Sequence, residues 1–328
     1  MHVLILGAAG MIGRKLTERL LKDRRIASRE ISRLTLHDVV EPSIPPNAPF
    51  PVSAGASDFS MPGEVEKLIA SRPDMIFHLA AIVSGEAEAD LDKGYRINLD
   101  GTRYLLDAIK KTGDGYKPRV VFTSSIAVFG APFPDAIGDE FFETPLTSYG
   151  TQKAMGELML ADYSRRGILE GIGIRLPTIC VRPGKPNKAA SGFFSNIIRE
   201  PLNGEEAVLP VSEDVRHWHA SPRSAVGFLT HAAAIDIATL NNRVNLSMPG
   251  LSATVGEQIA ALERVAGANV VKRIRREQDS AIIRIVAGWP RNFDTSRAKS
   301  LGFTTAEQSF DDIVKLHIED ELGGQFVA

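Results

Sequence analysis

The stretch Val3-Leu4-Ile5-Leu6-Gly7-Ala8-Ala9-Gly10-Met11-Ile12-Gly13 decides the fold of this chain. Four apolar residues typical of a buried strand lead into a glycine-rich turn, and an amphipathic helix begins near Met11. Glycine suits this turn because backbone must approach a pyrophosphate closely and because the helix must pack against the strand. The helix N-terminus offers unpaired amides to phosphate. We therefore predict a dinucleotide site formed by Gly7, Gly10, Met11, Ile12 and Gly13.

Short apolar runs recur after this stretch, and helical patterns separate them. The runs typical of strands cover residues 3–6, 34–37, 75–79, 119–123 and 171–176. Strands that alternate with helices pair in parallel, because each crossover helix returns the chain to the same edge of the sheet. The pattern therefore predicts an α/β Rossmann fold with a doubly wound parallel sheet.

The alternation ends beyond Pro177 in a Pro/Gly/Lys-rich stretch at residues 182–188, which predicts a loop and a change of domain. We expect a dinucleotide-binding domain followed by a smaller α/β cap that binds the substrate. The first domain would comprise residues 1–178 and a returning segment at about 220–246, and the cap residues 179–219 and 247–328.

Composition excludes several classes of partner. The formal net charge is −2, so the chain lacks the basic surplus of nucleic-acid-binding proteins, and the short basic run at residues 272–276 is typical of a solvated face. No apolar run is long enough to span a bilayer, so no membrane partner is expected. A single cysteine, Cys180, cannot form an intrachain disulfide and favours a cytoplasmic protein. No metal site is predicted.

The second strand ends at Asp38, where the adenosine ribose of a dinucleotide should lie. A carboxylate there can accept hydrogen bonds from both ribose hydroxyls and would repel a 2′-phosphate. No arginine follows Asp38, although Arg14 is near in sequence, so NAD is favoured over NADP. Asp58, after the strand-like residues 51–54, could bind the adenine amino group.

Tyr149 and Lys153 lie one helical turn apart, on the same face of a helix predicted at residues 148–166 with Thr147 or Ser148 as its N-cap. A nearby ammonium group stabilises a phenolate, which can take a proton from a hydroxyl as hydride leaves the carbon. Ser124 and Ser125 end a strand at the sheet edge where ligands of open α/β folds bind, and either could hold the substrate oxygen.

In combination these motifs resemble the extended short-chain dehydrogenases/reductases over essentially the whole chain. Further matching segments are His78-Leu79-Ala80-Ala81, Asn98-Leu99-Asp100-Gly101-Thr102, Ser124-Ser125-Ile126-Ala127-Val128-Phe129-Gly130, Asn292-Phe293-Asp294 and Leu301-Gly302-Phe303. The resemblance implies Ser125, Tyr149 and Lys153 as catalytic residues. It also implies cofactor contacts from Leu79, Ala80, Ala81, Asn98, Ser124, Tyr149, Lys153, Pro177 and Thr178. A homodimer would form through the helices that follow Gly101 and Ser148.

The family's members that act on nucleotide sugars carry an asparagine where this chain reads Arg175-Leu176-Pro177-Thr178, and the segment 216–223 also departs from their pattern. Both departures argue against a nucleotide-sugar substrate. Basic side chains near the pocket instead suit a small carboxylate. Substrate contacts are predicted from Ser125, Tyr149, Arg182, Arg216, Trp218 and Arg223, with Arg216 or Arg223 as the carboxylate clamp. The alternative is that Arg223 pairs with a structural acid and Trp218 fills core.

These features resemble the branch of the family that oxidises four-carbon sugar acids, which implies oxidation of a C2 hydroxyl to a 2-keto acid, with D-erythronate as the expected substrate. Two alternatives stay open. A nucleotide-sugar epimerase or dehydratase would hold NAD tightly and release no NADH. A regulatory protein that senses a dinucleotide without catalysis would commonly lack the Tyr149 and Lys153 pair, which is present here.

Overall fold

A computed structural model describes residues 1–184 and 190–328. Its strands are β1 (His2–Leu6), β2 (Arg25–Ile26), β3 (Arg29–Glu30), β4 (Arg33–Asp38), β5 (Val52–Ala56), β6 (Met75–His78), β7 (Arg119–Ser125), β8 (Glu170–Leu176), β9 (Thr178–Ile179), β10 (Ala207–Leu209), β11 (Arg216–Ala220), β12 (Asn245–Ser247), β13 (Leu251–Thr254) and β14 (Ile274–Arg276). Its α-helices are α1 (Met11–Asp23), α2 (Glu64–Ile69), α3 (Ser84–Ala89), α4 (Leu91–Gly94), α5 (Gly101–Thr112), α6 (Ser148–Arg165), α7 (Gly192–Leu202), α8 (Pro222–Ala234), α9 (Val255–Ala266), α10 (Ala268–Val271), α11 (Ser280–Ala287), α12 (Ser296–Ser300) and α13 (Phe310–Leu322).

Seven strands form one sheet in the order β12-β8-β7-β6-β1-β4-β5, and every neighbouring pair is parallel. The chain leaves β1 toward β4 and β5, then crosses back and continues on the other side of β1 through β6. This reversal creates a crevice at the carboxyl ends of β1 and β6, where doubly wound sheets bind ligands. The predicted Rossmann fold is confirmed, and each predicted strand has a counterpart in the sheet.

A second, smaller set of elements covers the carboxyl edge of the sheet. Strands β13, β11 and β9 form a three-stranded sheet, and β10 pairs with β14. The predicted loop at residues 182–188 lies partly outside the described residues. Among the described residues, none of the helices combines the length and the apolar character that crossing a membrane requires.

Two large apolar cores follow this arrangement. The first packs around the seven-stranded sheet, and the second joins α7 and α9 with α13. Ala298 and Phe303 lie in the first core and are fully buried there, although the sequence assigned them to the cap. They return because the chain after α11 crosses back to the sheet and packs beside α8. The exact division into two domains therefore stays a prediction.

Candidate active site

The turn after β1 has no room for side chains at two of its glycines. Gly7 has a φ of +90°, and a Cβ there would lie 2.7 Å from the Ala80 amide nitrogen. A Cβ on Gly13 would lie 2.2 Å from the Gly7 carbonyl oxygen. At Gly10 the nearest atom would be 3.4 Å away, so the space above this residue is open. The turn therefore packs tightly against the sheet and leaves one side free for a ligand.

Helix α1 begins directly after this turn, with no side-chain cap and no acidic residue in its first turn. Its first amides and its positive dipole end are therefore available to an anion. A cleft of about 300 Å³ opens beside them, between the sheet and α7. The residues around the cleft are Gly7, Gly10, Met11, Ile12, Gly13, Leu79, Val83, Arg182, Pro183, Gly192, Ser195, Asn196 and Arg199.

The Asp38 carboxylate lies at the end of β4, beside the glycine turn. It accepts hydrogen bonds from the Ala9 amide (2.9 Å) and the Val39 amide (2.7 Å). Arg14 donates to the Ala9 carbonyl oxygen at 2.7 Å. The two amide bonds fix the Asp38 carboxylate beside the place where the adenosine ribose lies in a dinucleotide fold, which supports NAD.

Asp58 has partners of its own in this structure. Its carboxylate pairs with Arg96 at 2.6 Å and accepts a hydrogen bond from the Ser60 amide at 3.0 Å. Burial is the largest single effect and raises the pKa of Asp58, but Ser60 and Arg96 together outweigh it and hold the pKa below its ordinary value. Contact between Asp58 and an adenine ring therefore stays a prediction.

Asn98 joins the segment after β6 to the helix that carries Tyr149 and Lys153. Its side-chain oxygen accepts a hydrogen bond from the Ile82 amide (2.9 Å), and its amide nitrogen donates to Gln152 in α6 (2.8 Å). Asn98 lies in a π-helical stretch, Tyr95–Asp100, that the sequence did not predict. This bonding fixes the course of the chain beyond Leu79, Ala80 and Ala81 along the cleft.

Helix α6 presents Tyr149 and Lys153 at the carboxyl edge of the sheet. Thr147 is its N-cap and accepts a hydrogen bond from the Gly150 amide at 3.1 Å, as one of the two predicted caps. The Lys153 Nζ donates to the Thr123 carbonyl oxygen at 2.7 Å and lies 5.8 Å from the centre of the Tyr149 ring. Helix and sheet are thus tied together beside Ser124 and Ser125.

Burial shapes the protonation of this pair. Burial lowers the pKa of Lys153 to about 8, and Glu157 opposes this shift. Burial also raises the pKa of Tyr149 above its ordinary value, while a hydrogen bond with Ser125 and the charge of Arg182 oppose the rise. A phenol in this position needs positive charge close to it before it can act as a base.

The two serines at the end of β7 differ in their bonding. The Ser125 Oγ accepts a hydrogen bond from the Ala127 amide at 3.2 Å and interacts with Tyr149. The Ser124 Oγ is buried and has no hydrogen-bond partner among the described residues. A buried hydroxyl without a partner is costly, which fits a bound cofactor beside Ser124.

Arg182 follows β9 and reaches toward Tyr149, closely enough that each side chain shifts the pKa of the other. Its Nε donates to the Ile179 carbonyl oxygen (3.1 Å) and its Nη2 to the Ser191 hydroxyl (2.9 Å). Burial lowers the pKa of Arg182. Among the described residues it has no carboxylate partner, and residues 185–189 contain no acidic side chain.

The other two predicted arginines are already paired. Arg216 contacts the Glu257 carboxylate at 3.3 Å, and Arg223 contacts Asp320 and, at 3.1 Å, Glu319. These pairs are partly exposed, and their acids lie on α9 (Glu257) and α13 (Glu319 and Asp320). Because acids that lie close in space pair with both charges, we remove Arg216 and Arg223 from the proposed carboxylate site.

Trp218 fills core instead of facing a pocket. It is 6% exposed, packs near Phe293 with ring centroids 5.6 Å apart, and donates its indole N–H to the Met248 carbonyl oxygen at 3.2 Å. We therefore assign Trp218 to packing and remove it from the proposed substrate contacts.

Thr178, just after β8, contacts His217 of β11. Thr178 follows Pro177, and its hydroxyl lies 2.7 Å from His217 Nε2. His217 Nδ1 lies 2.8 Å from the Pro290 carbonyl oxygen, so Nδ1 carries the proton and Nε2 accepts from Thr178. The Thr178 hydroxyl is therefore engaged with the protein.

Sequence reasoning missed the contribution of α7. Ser195, Asn196 and Arg199 line the cleft opposite the glycine turn. No motif marks these residues. Their one signal is a four-residue spacing from Ser191 to Ser195 to Arg199, and it becomes informative only once the position of Arg182 is known.

A dinucleotide cleft at the reversal point of a parallel sheet, with a tyrosine, a lysine and a serine at the same carboxyl edge, defines an NAD-dependent enzyme that acts on a carbon–oxygen centre. A profile of the NAD dependent epimerase/dehydratase family matches residues 3–221, and the chain belongs to this family. The family and the cofactor inferred from the sequence motifs are thus confirmed.

Two curated relatives match nearly the whole chain. The chain is 45% identical to a D-erythronate dehydrogenase from Cupriavidus necator over 325 residues, which cover 98% of each protein. It is 42% identical to a D-erythronate dehydrogenase from Haemophilus influenzae, over 98% of this chain and 100% of that protein.

A solved structure described as a nucleoside-diphosphate-sugar epimerase from Agrobacterium tumefaciens is 66% identical to the chain. It superposes with a TM-score of 0.96 and covers 99% of this chain and 95% of the other. An L-threonine dehydrogenase from Cupriavidus necator superposes with a TM-score of 0.82 over 96% of this chain and 97% of the other, at 22% identity. The second likeness shows the shared fold.

Proposed function

We propose that this enzyme is a dehydrogenase that oxidises the C2 hydroxyl of D-erythronate to give 2-dehydro-D-erythronate, with NAD as the acceptor. The observation that carries the proposal is the partly buried guanidinium of Arg182, which lines the cleft, is held by the Ile179 carbonyl oxygen and the Ser191 hydroxyl, and has no carboxylate partner among the described residues. The names of the two relatives that match over 98% of the chain support the same substrate.

The position of Arg182 suits a 2-hydroxy acid in particular. The carboxylate of such an acid is attached to the carbon that bears the reacting hydroxyl, so its binding group must lie beside the base. Arg182 suits this requirement, because it lines the cleft and lies near enough to Tyr149 for the two groups to interact electrostatically. A planar guanidinium binds a carboxylate through two parallel hydrogen bonds and so also fixes its orientation.

Each side chain then has a defined task. Ser125 holds the C2 oxygen, and the Tyr149 Oη takes the proton of the C2 hydroxyl. Lys153, held by the Thr123 carbonyl oxygen at 2.7 Å, supplies positive charge that favours the phenolate. When bound, NAD supplies the nicotinamide that accepts a hydride. Gly7, Gly10, Met11, Ile12 and Gly13 would hold its pyrophosphate, and Asp38 its ribose.

The description of the Agrobacterium tumefaciens structure favours a second candidate, a nucleotide-sugar epimerase. Two features weigh against it in this chain. The family asparagine that meets a nucleotide diphosphate is replaced by Thr178, whose hydroxyl is engaged by His217 at 2.7 Å. In addition, the uncharged hexose of a substrate such as UDP-glucose offers no carboxylate that could pair with Arg182. A purely regulatory dinucleotide sensor would leave Tyr149 and Lys153 without a role.

The deciding experiment is NADH formation, followed at 340 nm, by the purified protein with NAD and a panel of D-erythronate, L-threonate, other short sugar acids and UDP-glucose. We expect turnover with a four-carbon acid and NADH released into solution. Conversion of UDP-glucose without NADH release, together with no turnover of any acid, would establish the epimerase instead.

We also propose a cytoplasmic homodimer that forms through α5 and α6. Met155 and Leu158 lie three residues apart on α6 and are 40% and 66% exposed, so they form an apolar patch on one face of the helix that suits a subunit contact. Tyr163 of α6 donates to Asp107 of α5 at 2.6 Å, so the two helices present one continuous face. Sedimentation equilibrium should give about twice the 35.6 kDa of one chain, and a single-chain mass would contradict the dimer.

A further inference from the structure

We infer that Ser191, Ser195 and Arg199 of the α7 segment are positioning residues that hold Arg182 in the orientation needed to bind the substrate carboxylate. This inference rests on the proposed function and assigns roles to three residues that no sequence motif marks. It predicts that loss of these side chains weakens binding of the acid more than binding of the cofactor.

Each of the three side chains holds a different part of Arg182. The Ser191 hydroxyl accepts a hydrogen bond from Arg182 Nη2 at 2.9 Å. The Ser195 hydroxyl accepts from the Arg182 backbone amide at 3.0 Å. Arg199 Nη1 donates to the Arg182 carbonyl oxygen at 2.7 Å. Backbone and side chain of Arg182 are therefore fixed together by one helix.

The spacing explains how one helix reaches all three parts. Ser191, Ser195 and Arg199 follow one another at intervals of four residues, so they lie on one face of α7 and its N-terminal end. Ser195 is 1% exposed and Arg199 is 6% exposed. Such burial restricts the conformations of both side chains, so their hydrogen bonds hold Arg182 in one orientation.

Arg182 and Arg199 differ in whether their charge is paired with an acid. Arg199 pairs with the Glu200 carboxylate at 2.5 Å and also donates to Asn196 at 2.8 Å. Its charge is therefore already balanced. Arg182 is held by neutral hydroxyl and carbonyl oxygens, and so its charge stays available for an incoming carboxylate. A binding group that is fixed before the ligand arrives loses less conformational freedom on binding.

The experiment compares Ser195→Ala and Ser191→Ala with the parent enzyme in KM for D-erythronate, KM for NAD, and kcat. Loss of one hydrogen bond, from the backbone amide of Arg182 in Ser195→Ala and from its guanidinium in Ser191→Ala, should raise KM for the acid about three- to ten-fold. For Ser191→Ala, whose side chain is not among the residues around the dinucleotide cleft, we expect kcat and KM for NAD to stay within about two-fold. Ser195 lines that cleft, so its replacement is judged by KM for the acid alone. The Ser191→Thr variant keeps a hydroxyl and should restore KM for the acid.

Ser224→Ala is the matched control. Ser224 is 2% exposed and, like Ser195, uses its hydroxyl in buried hydrogen bonds, here to Glu307 at 2.7 Å and from the Ala306 amide at 2.7 Å. Both replacements should lower thermal stability to a similar extent. Only Ser195→Ala should change KM for the acid, which separates positioning from a general loss of stability.

A second readout needs no turnover: calorimetric titration of D-erythronate into each protein saturated with NADH. Weaker binding in Ser195→Ala and Ser191→Ala, with parent-like binding in Ser224→Ala, supports the inference. If the parent enzyme oxidises the acid and both α7 variants bind it as the parent does, the positioning role is wrong while the proposed function stands. If the parent neither binds nor oxidises the acid, both proposals fail.

Discussion

The variant Tyr149→Phe is expected to oxidise D-erythronate about 10²- to 10⁴-fold more slowly than the parent, the range typical of a lost general base. Phenylalanine keeps the ring of Tyr149 and removes the only atom proposed to take the C2 proton. Burial already raises the pKa of this phenol, so its activity as a base depends on the positive charges of Lys153 and Arg182 around it. No other described group is placed to replace it.

Steady-state kcat with saturating NAD checks this expectation, with NADH binding measured by fluorescence to show that the cleft is intact. Tyr163→Phe is the matched control, because Tyr163 lies on the same helix and its hydroxyl donates to Asp107 at 2.6 Å, away from the site. Turnover by Tyr149→Phe within a few-fold of the parent would rule out the proposed mechanism.

The variant Arg182→Met should lose affinity for the acid and also part of kcat, because Tyr149 loses a neighbouring positive charge. Truncation of one partner of a buried charge pair costs about 2–5 kcal/mol, which corresponds to a fall in kcat/KM of about 30-fold to several thousand-fold. Arg182→Lys should fall between the parent and Arg182→Met, since a lysine keeps the charge and loses the paired hydrogen bonds.

One observation and two control variants separate a loss of substrate binding in Arg182→Met from a loss of protein stability. Arg182 has no carboxylate partner among the described residues, so its removal leaves no buried acid uncompensated, and we expect a melting temperature equal to or above that of the parent. Arg216→Ala and Arg223→Ala serve as controls, because local acids pair with both. Their kcat/KM for the acid should stay within about three-fold of the parent value. If Arg182→Met has the kcat/KM of the parent for the acid, Arg182 does not bind the carboxylate, and Arg216 or Arg223 becomes the candidate again.

The parts of the site that the sequence predicted lie on elements with local rules. The glycine spacing from Gly7 to Gly13 follows from steric limits within one turn, and the four-residue interval between Tyr149 and Lys153 follows from helix periodicity. The strand that ends at Ser124 and Ser125 is apolar enough to be recognised in isolation. Each of these features could be read from a few consecutive residues.

The substrate residues could not be read in this way, because their partners are distant in sequence. Arg216 bonds to Glu257, 41 residues away, and Arg223 to Asp320, 97 residues away. No residue close in sequence to either arginine shows that an acid pairs with its charge. Trp218 shares β11 with Arg216, and only the packing of Phe293 against it shows that it is a core residue. The role of α7 could likewise be recognised only from its contacts with Arg182 in the folded structure.

The most direct test of the central claim uses D-erythronate that carries deuterium at C2. Hydride transfer from C2 would place the deuterium in the NADH that forms, on C4 of the nicotinamide, and leave a 2-keto acid without deuterium; NMR spectroscopy of both products measures this. We predict deuterated NADH in a one-to-one ratio with the keto acid. NADH without deuterium, formed while the label stays in the acid, would contradict oxidation at C2.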